Sequence, residues 1–296
     1  MKLTSALVEV MAAILFFGAA CSGAHAGSRA CPQKGDDEQT AKFRNYTFRT
    51  IRTEDKGCIE VRKDNKVVYS ESEEDVSSYV IGNNLWEAAG NSVIKPGTDI
   101  TGSGRPQLLF ASWSGGAHCC FTFRVLELGE RPHIIATLDA GDSDGAHFAD
   151  LKGDGRYEFV ANDWTFTYWH ASFAASPAPA LILSWQDDSR AFKIDLELMR
   201  KPSPSPAAFE ELVAKIKKED DWQGRVPPDL WRAMLDFIYT GHPDLAWKIH
   251  DLAWPSSKPG KGGFLGAFCE QLQQSPYFDD LADSLKNHPP DCFMSN

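Results

Sequence analysis

His118-Cys119-Cys120 is where thiol and imidazole chemistry come closest together along the chain. Thiolates and an imidazole are soft-metal ligands. A thiol beside His118 or His147 could also act as a nucleophile. A third reading is oxidation to disulfides, either within the Cys119–Cys120 pair or to distant partners. Adjacent cysteines on a strand point to opposite faces and chelate poorly together. Gly116-Ala117-His118 recurs as Gly145-Ala146-His147, with Asp142, Asp144 and Asp150 close by. An acid and an imidazole at that range can serve hydrolysis as general acid and base. The bland reading is that such Gly/Asp clusters are loops on the rim of a β architecture.

The elements that position these residues are organised by a repeat. Asp99-Ile-Thr-Gly-Ser-Gly-Arg-Pro-Gln-Leu-Leu-Phe-Ala-Ser-Trp113 is answered, 51 residues later, by Asp150-Leu-Lys-Gly-Asp-Gly-Arg-Tyr-Glu-Phe-Val-Ala-Asn-Asp-Trp164. In each copy a Gly-rich loop precedes a short apolar run, Leu108–Phe110 or Phe159–Ala161, as expected of a buried strand. Tyr46–Ile51, Cys58–Arg62 and Val67–Tyr69 read as strands, the last two joined by a turn at Asp64-Asn65. Val76–Ile81, Phe121–Leu128 and Pro132–Leu138 add three more. Ala180–Trp185 and Ala191–Leu198 form a closing hairpin across Asp187-Asp188-Ser189. Trp164-Thr-Phe-Thr-Tyr-Trp-His170 reads as extended, with Trp164, Phe166 and Tyr168 on one face and Trp169 on the other. Core burial is the favoured role, and stacking on sugar rings or peptide side chains the rival one.

Pro202-Ser-Pro-Ser-Pro206 is a linker, after which the period turns helical. Phe209, Leu212, Val213 and Ile216 share one helix face. Pro227-Pro228 opens a second helix that Gly241 stops, and Pro243 opens a third that Pro255 stops. Phe264–Leu272 and Tyr277–Leu285 are two more. The expected fold is α+β: a mainly antiparallel β body of about three propeller-like blades, then a small helical domain. Three blades are too few for a closed propeller, so the body is an incomplete propeller or stacked sheets, with helices over an open edge. The segments are 1–26, a signal peptide; 27–40, a disordered lead-in; 41–200, the β-rich repeat domain; 201–207, the linker; and 208–296, the helical domain.

Met11–Ala20 is apolar but too short to span a bilayer, and Ala24-His25-Ala26 offers a cleavage site after Ala26. The alternative is a lipoprotein anchored at Cys21. Met11 is a second candidate start. The chain is therefore expected in the periplasm or secreted, with no membrane-spanning segment in its mature form. Its formal charge of -11 argues against a nucleic-acid partner and against anionic lipid. Removing Cys21 leaves Cys31, Cys58, Cys119, Cys120, Cys269 and Cys292, an even number that reads as disulfides in an exported chain. Short loops favour Cys31 with Cys58 and Cys269 with Cys292.

The run Asp150-Leu-Lys-Gly-Asp-Gly-Arg-Tyr-Glu-Phe-Val160 resembles the FG-GAP or VCBS-type repeat of β-propeller proteins, over residues 95–170. Ser114-Gly-Gly-Ala-His-Cys-Cys120 is similar to a stretch of uncharacterised exported bacterial proteins, which carry no activity to transfer. The family resemblance implies calcium in the second loop, held by Asp150, position 152, Asp154, the Arg156 carbonyl and Glu158. Lys152 departs from that pattern and could neutralise the carboxylates in the ion's place. The first copy, with Asp99, Thr101, Ser103 and Gln107, supplies one charge. The expected function is a non-catalytic exported binding or scaffold protein of the envelope, holding a protein or glycan on rim loops. The alternative is an envelope hydrolase or thiol enzyme using His118, Cys119, Asp144 and His147.

Overall fold

The computed structural model describes residues 31–54, 56–73, 76–83, 94–116 and 120–285. Among these residues, twelve strands form three antiparallel sheets of four, each a meander in chain order. The first holds β1 (Asp37–Phe43), β2 (Tyr46–Arg52), β3 (Gly57–Lys63) and β4 (Lys66–Glu73). The second holds β5 (Ser78–Ile81), β6 (Gln107–Trp113), β7 (Phe121–Glu127) and β8 (His133–Gly141). The third holds β9 (His147–Ala149), β10 (Glu158–Asn162), β11 (Ala180–Gln186) and β12 (Ala191–Ile194). No barrel closes. The β3–β4 turn is the two-residue Asp64-Asn65 hairpin, with φ of 50° and 63°, the left-handed pair that matches strand twist.

Strand alternation stacks the sheets. In β6, Leu108 and Phe110 join the core under the first sheet, while Leu109 and Ala111 join the core shared with the third. In β7, Phe121, Phe123 and Val125 face the third sheet. A register shift between Val125 and Leu126 leaves Ile135 of β8 without a partner on β7. Leu126, on the opposite face by strand alternation, joins the core under the first sheet. The second sheet is thus buried on both faces.

The chain then turns helical: α1 (Leu196–Met199), α2 (Pro206–Lys217), α3 (Pro228–Tyr239), α4 (Pro243–Ala253), α5 (Lys261–Leu272) and α6 (Phe278–Leu285). Ser205 caps α2 by accepting from the Ala208 N–H, with Pro206 at the first helical position. α1 and α3 pack against β11, and α6 against β12. No helix among the described residues is long and apolar enough to cross a membrane.

Three expectations need correction. β1 begins at Asp37, inside the stretch read as a disordered lead-in, and Cys31 ahead of it is buried. The polar alternation of β1 carries little apolar signal, because its residues are mostly exposed. The helices share one continuous core with the second and third sheets, so they do not form a core of their own. Trp164–His170 is a succession of turns, not a strand. Phe166 enters the core, whereas Tyr168 is 64% exposed. The Pro-rich stretch is pinned at its start: the Lys201 N–H donates to the Thr240 carbonyl, and its ammonium meets Asp236 at 2.7 Å.

Candidate functional site

The two repeat loops precede the second strand of successive sheets, β6 and β10, and close in the same way. Asp99 accepts the Ser103 and Gly104 N–H groups at 3.0 and 2.6 Å. Asp150 accepts those of Asp154 and Gly155 at 3.1 and 3.0 Å. Gly102 and Gly153 sit at φ of 72° and 69°, a conformation that glycine adopts without a Cβ penalty. The loops also touch. The Tyr157 N–H donates to the Ile100 carbonyl at 2.9 Å, and the Arg156 side chain lies over Gly102.

Each loop is then locked from its strand by a different chemistry. Gln107 accepts the Ile100 and Thr101 N–H groups at 2.9 and 3.2 Å and donates to the Thr101 hydroxyl at 2.6 Å. Glu158 accepts the Leu151 N–H at 3.0 Å and meets the Lys152 ammonium at 3.6 Å. Lys152 also reaches Asp195 at 2.8 Å and the Ser184 hydroxyl at 3.3 Å. The hydrogen bond to Asp195 raises the Lys152 pKa. Burial alone would raise the Asp195 pKa, but the bonds from Lys152, Ser184 and the Leu198 N–H outweigh it and hold the carboxyl low. This donor set does not fit calcium, which takes six to eight oxygens. An ammonium stands at Glu158, and both Asp150 oxygens already accept backbone N–H groups.

The His/Cys/Asp constellation is only partly visible. His118 and Cys119 lie outside the described residues, as do Cys21, Ala26 and Cys292. Cys120 is disulfide-bonded, so it offers no thiol. His147 lies on β9, its Nδ1 hydrogen-bonded to the Gly145 carbonyl at 2.8 Å, and Asp144 is exposed. Asp142 sits two residues ahead, in the turn that follows β8. Among the described residues no three His, Cys, Asp or Glu side chains gather as metal ligands would. Cys31 and Cys58 are joined, as the short loop between them favours, and Cys269 is disulfide-bonded too.

A cleft of about 460 Å³ lies elsewhere, between the long β10–β11 connection and helices α2 and α3. Pro177, Ala178 and Pro179 form one wall, and Leu212, Ala233 and Arg232 part of the other. Asp229 holds both Lys215 (3.0 Å) and Arg232, and Arg232 donates onward to the Ala175 carbonyl at 3.1 Å. The same connection carries the aromatic run. Trp164 stacks on Phe173 with centroids 5.3 Å apart, while Trp169 packs edge-on to Trp231. Tyr168 and His170 have φ of 58° and 53°, left-handed values that non-glycine residues adopt at a cost. The Ser176 hydroxyl accepts the Tyr168 N–H at 2.9 Å and fixes the bend.

Below this connection, Asp163 is buried among donors. It accepts from Tyr239, from the Ser275 hydroxyl at 2.6 Å and from the Thr165 N–H at 2.8 Å. Burial drives the Tyr239 pKa well above its ordinary value, with the Asp163 charge adding to the shift. The sequence reading missed this anchor and the cleft. Asp229 and Arg232, three residues apart on a helix, were the available signal for the cleft. Nothing local in the sequence links Asp163 to Tyr239.

The structure thus holds two separate features: stacked polar loops that lead into β6 and β10, and, at the other end of β10, a cleft lined by apolar residues with the charge-balanced Lys215, Arg232, Asp229 and Asp236. In comparison with known proteins, the chain is 32% identical over 156 residues to an uncharacterized protein of Sinorhizobium fredii, covering 49% of this chain and 22% of that relative. It is 39% identical over 84 residues to a probable thylakoid lumen protein of Synechocystis, covering 28% of this chain and 25% of that relative. The chain thus spans about a quarter of the length of the curated relatives it matches. No family model matches the chain, and no solved structure matches it.

Proposed function

We propose that this is an extracytoplasmic binding or scaffold protein of the envelope, built on FG-GAP/VCBS-type blades, with its ligand held in the cleft beside the β10–β11 connection. The Cys31–Cys58 disulfide supports the location, because such bonds form and persist in oxidising compartments and are rare in reducing ones. A relative named as a probable thylakoid lumen protein supports it. Equivalent loops ahead of β6 and β10 support the blade reading. The cleft supports binding: its lining sets the apolar Pro177, Ala178, Pro179 and Leu212 beside the charged Lys215, Asp229 and Arg232, the mix of apolar walls and a few polar groups that ligand pockets use. A protein or glycan is the expected ligand class.

The test is to express the full chain in a bacterial host, release the periplasm by osmotic shock, and alkylate free thiols before unfolding. Recovery in the shock fluid with Cys31 and Cys58 protected is the expected result. Retention in the cytoplasm with both alkylated would overturn the location. A panel of envelope glycans and peptides, read by amide shifts at Ala178 and Ala233, then tests the cleft. Shifts that survive Arg232→Ala unchanged would remove it as the site.

A further inference from the structure

We infer that the Lys152 ammonium is a counter-cation built into the chain. It ties the acidic end of the second repeat loop to β11 and to the cap of α1, and the repeat loops keep their shape without a divalent metal. Three observations carry this. First, Glu158 is buried, 2% exposed, and a buried carboxylate needs a compensating charge. The Lys152 ammonium stands 3.6 Å from it and bridges to Asp195 at 2.8 Å, while the Ser184 hydroxyl donates to the same Asp195 oxygen at 2.6 Å. A calcium ion at its usual distance of about 2.3–2.6 Å from Glu158 would meet this like charge.

Second, the loop's remaining acids already have donors. Both Asp150 oxygens accept backbone N–H groups, and Asp154 accepts the Arg156 N–H at 2.9 Å. Third, the first loop reaches the same closure with no charge at the equivalent places. Thr101 stands where Lys152 does and Gln107 where Glu158 does, and the amide donates to the hydroxyl at 2.6 Å. One backbone shape is therefore locked once by a neutral pair and once by an ionic pair. The ionic pair has a task the neutral one lacks, because Asp195 also accepts the Leu198 N–H that starts α1. Lys152 thus joins loop, sheet and first helical turn.

The experiment is thermal melting of the full chain in millimolar calcium and in chelator, for the native protein, Lys152→Met and Lys152→Asp. The native midpoint is expected to be the same in both media, because a ligand that binds only the folded state must raise it. Lys152→Met should lower the midpoint by about 2–4 °C, equally in both media. Lys152→Asp should melt lower still in chelator and regain part of the loss in calcium. A native midpoint raised by calcium would overturn the inference without needing any variant to fold. An unchanged midpoint for Lys152→Met, or a folded Lys152→Asp indifferent to calcium, would overturn it as well.

Discussion

The loop before β6 and the loop before β10 share a backbone and differ in how they satisfy it. In the first, the Gln107 amide accepts two N–H groups and gives its own hydrogen to Thr101. In the second, Glu158 accepts one N–H and relies on Lys152. A neutral amide is complete within its own loop. A carboxylate needs a cation, and here the cation has further partners on β11 and at the start of α1. Exchanging an amide for an acid therefore couples a local turn to distant elements. The lock of the first loop lies within residues 99–107, whereas that of the second also draws in β11 and the start of α1.

The sharpest break of this comparison is to swap the two chemistries. Gln107→Glu puts a carboxylate at a position with no exposure and no cation opposite it, since Thr101 occupies the place of Lys152. An uncompensated buried charge costs about 3–5 kcal/mol. Glu158→Gln keeps the acceptor for the Leu151 N–H and loses only the ionic contact, at about 1–3 kcal/mol. Urea midpoints should therefore fall further for Gln107→Glu. Equal losses would mean that the two loops are not chemically distinct.

A second effect sharpens the contrast from inside the helices. Asp99, Asp150 and Glu158 all have partners, but the Nε2 of His250 has none. The ring is 2% exposed and stacks on Phe264. Burial, with some help from Lys261, depresses its pKa from 6.5 to about 4. The unfolded chain thus binds a proton below pH 6.5 that the folded chain refuses until about pH 4. Stability present above pH 6.5 is lost as pH falls through that window, by roughly 3 kcal/mol at the bottom of it. His250→Phe should flatten the pH dependence of the urea midpoint between those limits. A slope unchanged by that substitution would assign the proton elsewhere.

Much of this architecture was legible in the sequence. The three sheets follow from alternation and turn residues, as at Asp64-Asn65, and the helices from Pro and Gly punctuation at Pro228, Gly241 and Pro243. The 51-residue offset put two loops in equivalent places. β1 was missed because an exposed edge strand has no apolar period. The aromatic run was misread because Phe166 and Trp169 are buried at turn spacing, around a left-handed Tyr168 that no propensity foretells. The cleft was illegible for a different reason. Its walls, 177–180 and 212–236, are brought together by tertiary packing alone. Asp163 bonded to Tyr239 and Ser275 is likewise a long-range fact, set by where α3 and the end of α5 dock.

The smallest test separates the loops at their glycines. Gly102 and Gly153 have nearly the same φ, so an added Cβ brings the same backbone strain to both, about 1–2 kcal/mol. Their surroundings differ. A Cβ at Gly153 meets nothing within 4 Å, whereas one at Gly102 comes within 2.4 Å of the Arg156 Nε and 2.8 Å of its Cγ. Arg156 would have to leave, and with it the bond to Asp187 at 3.1 Å that steadies the neighbouring loop. Gly102→Ala should therefore cost more than Gly153→Ala, by about 1 kcal/mol, the scale of a hydrogen bond lost with its packing. Only Gly102→Ala should also speed hydrogen exchange at the Tyr157 N–H, which donates across to Ile100. If both alanines cost the same and Tyr157 stays protected, the two loops are parallel copies that do not lean on each other, and strain in the first would end at its own strand.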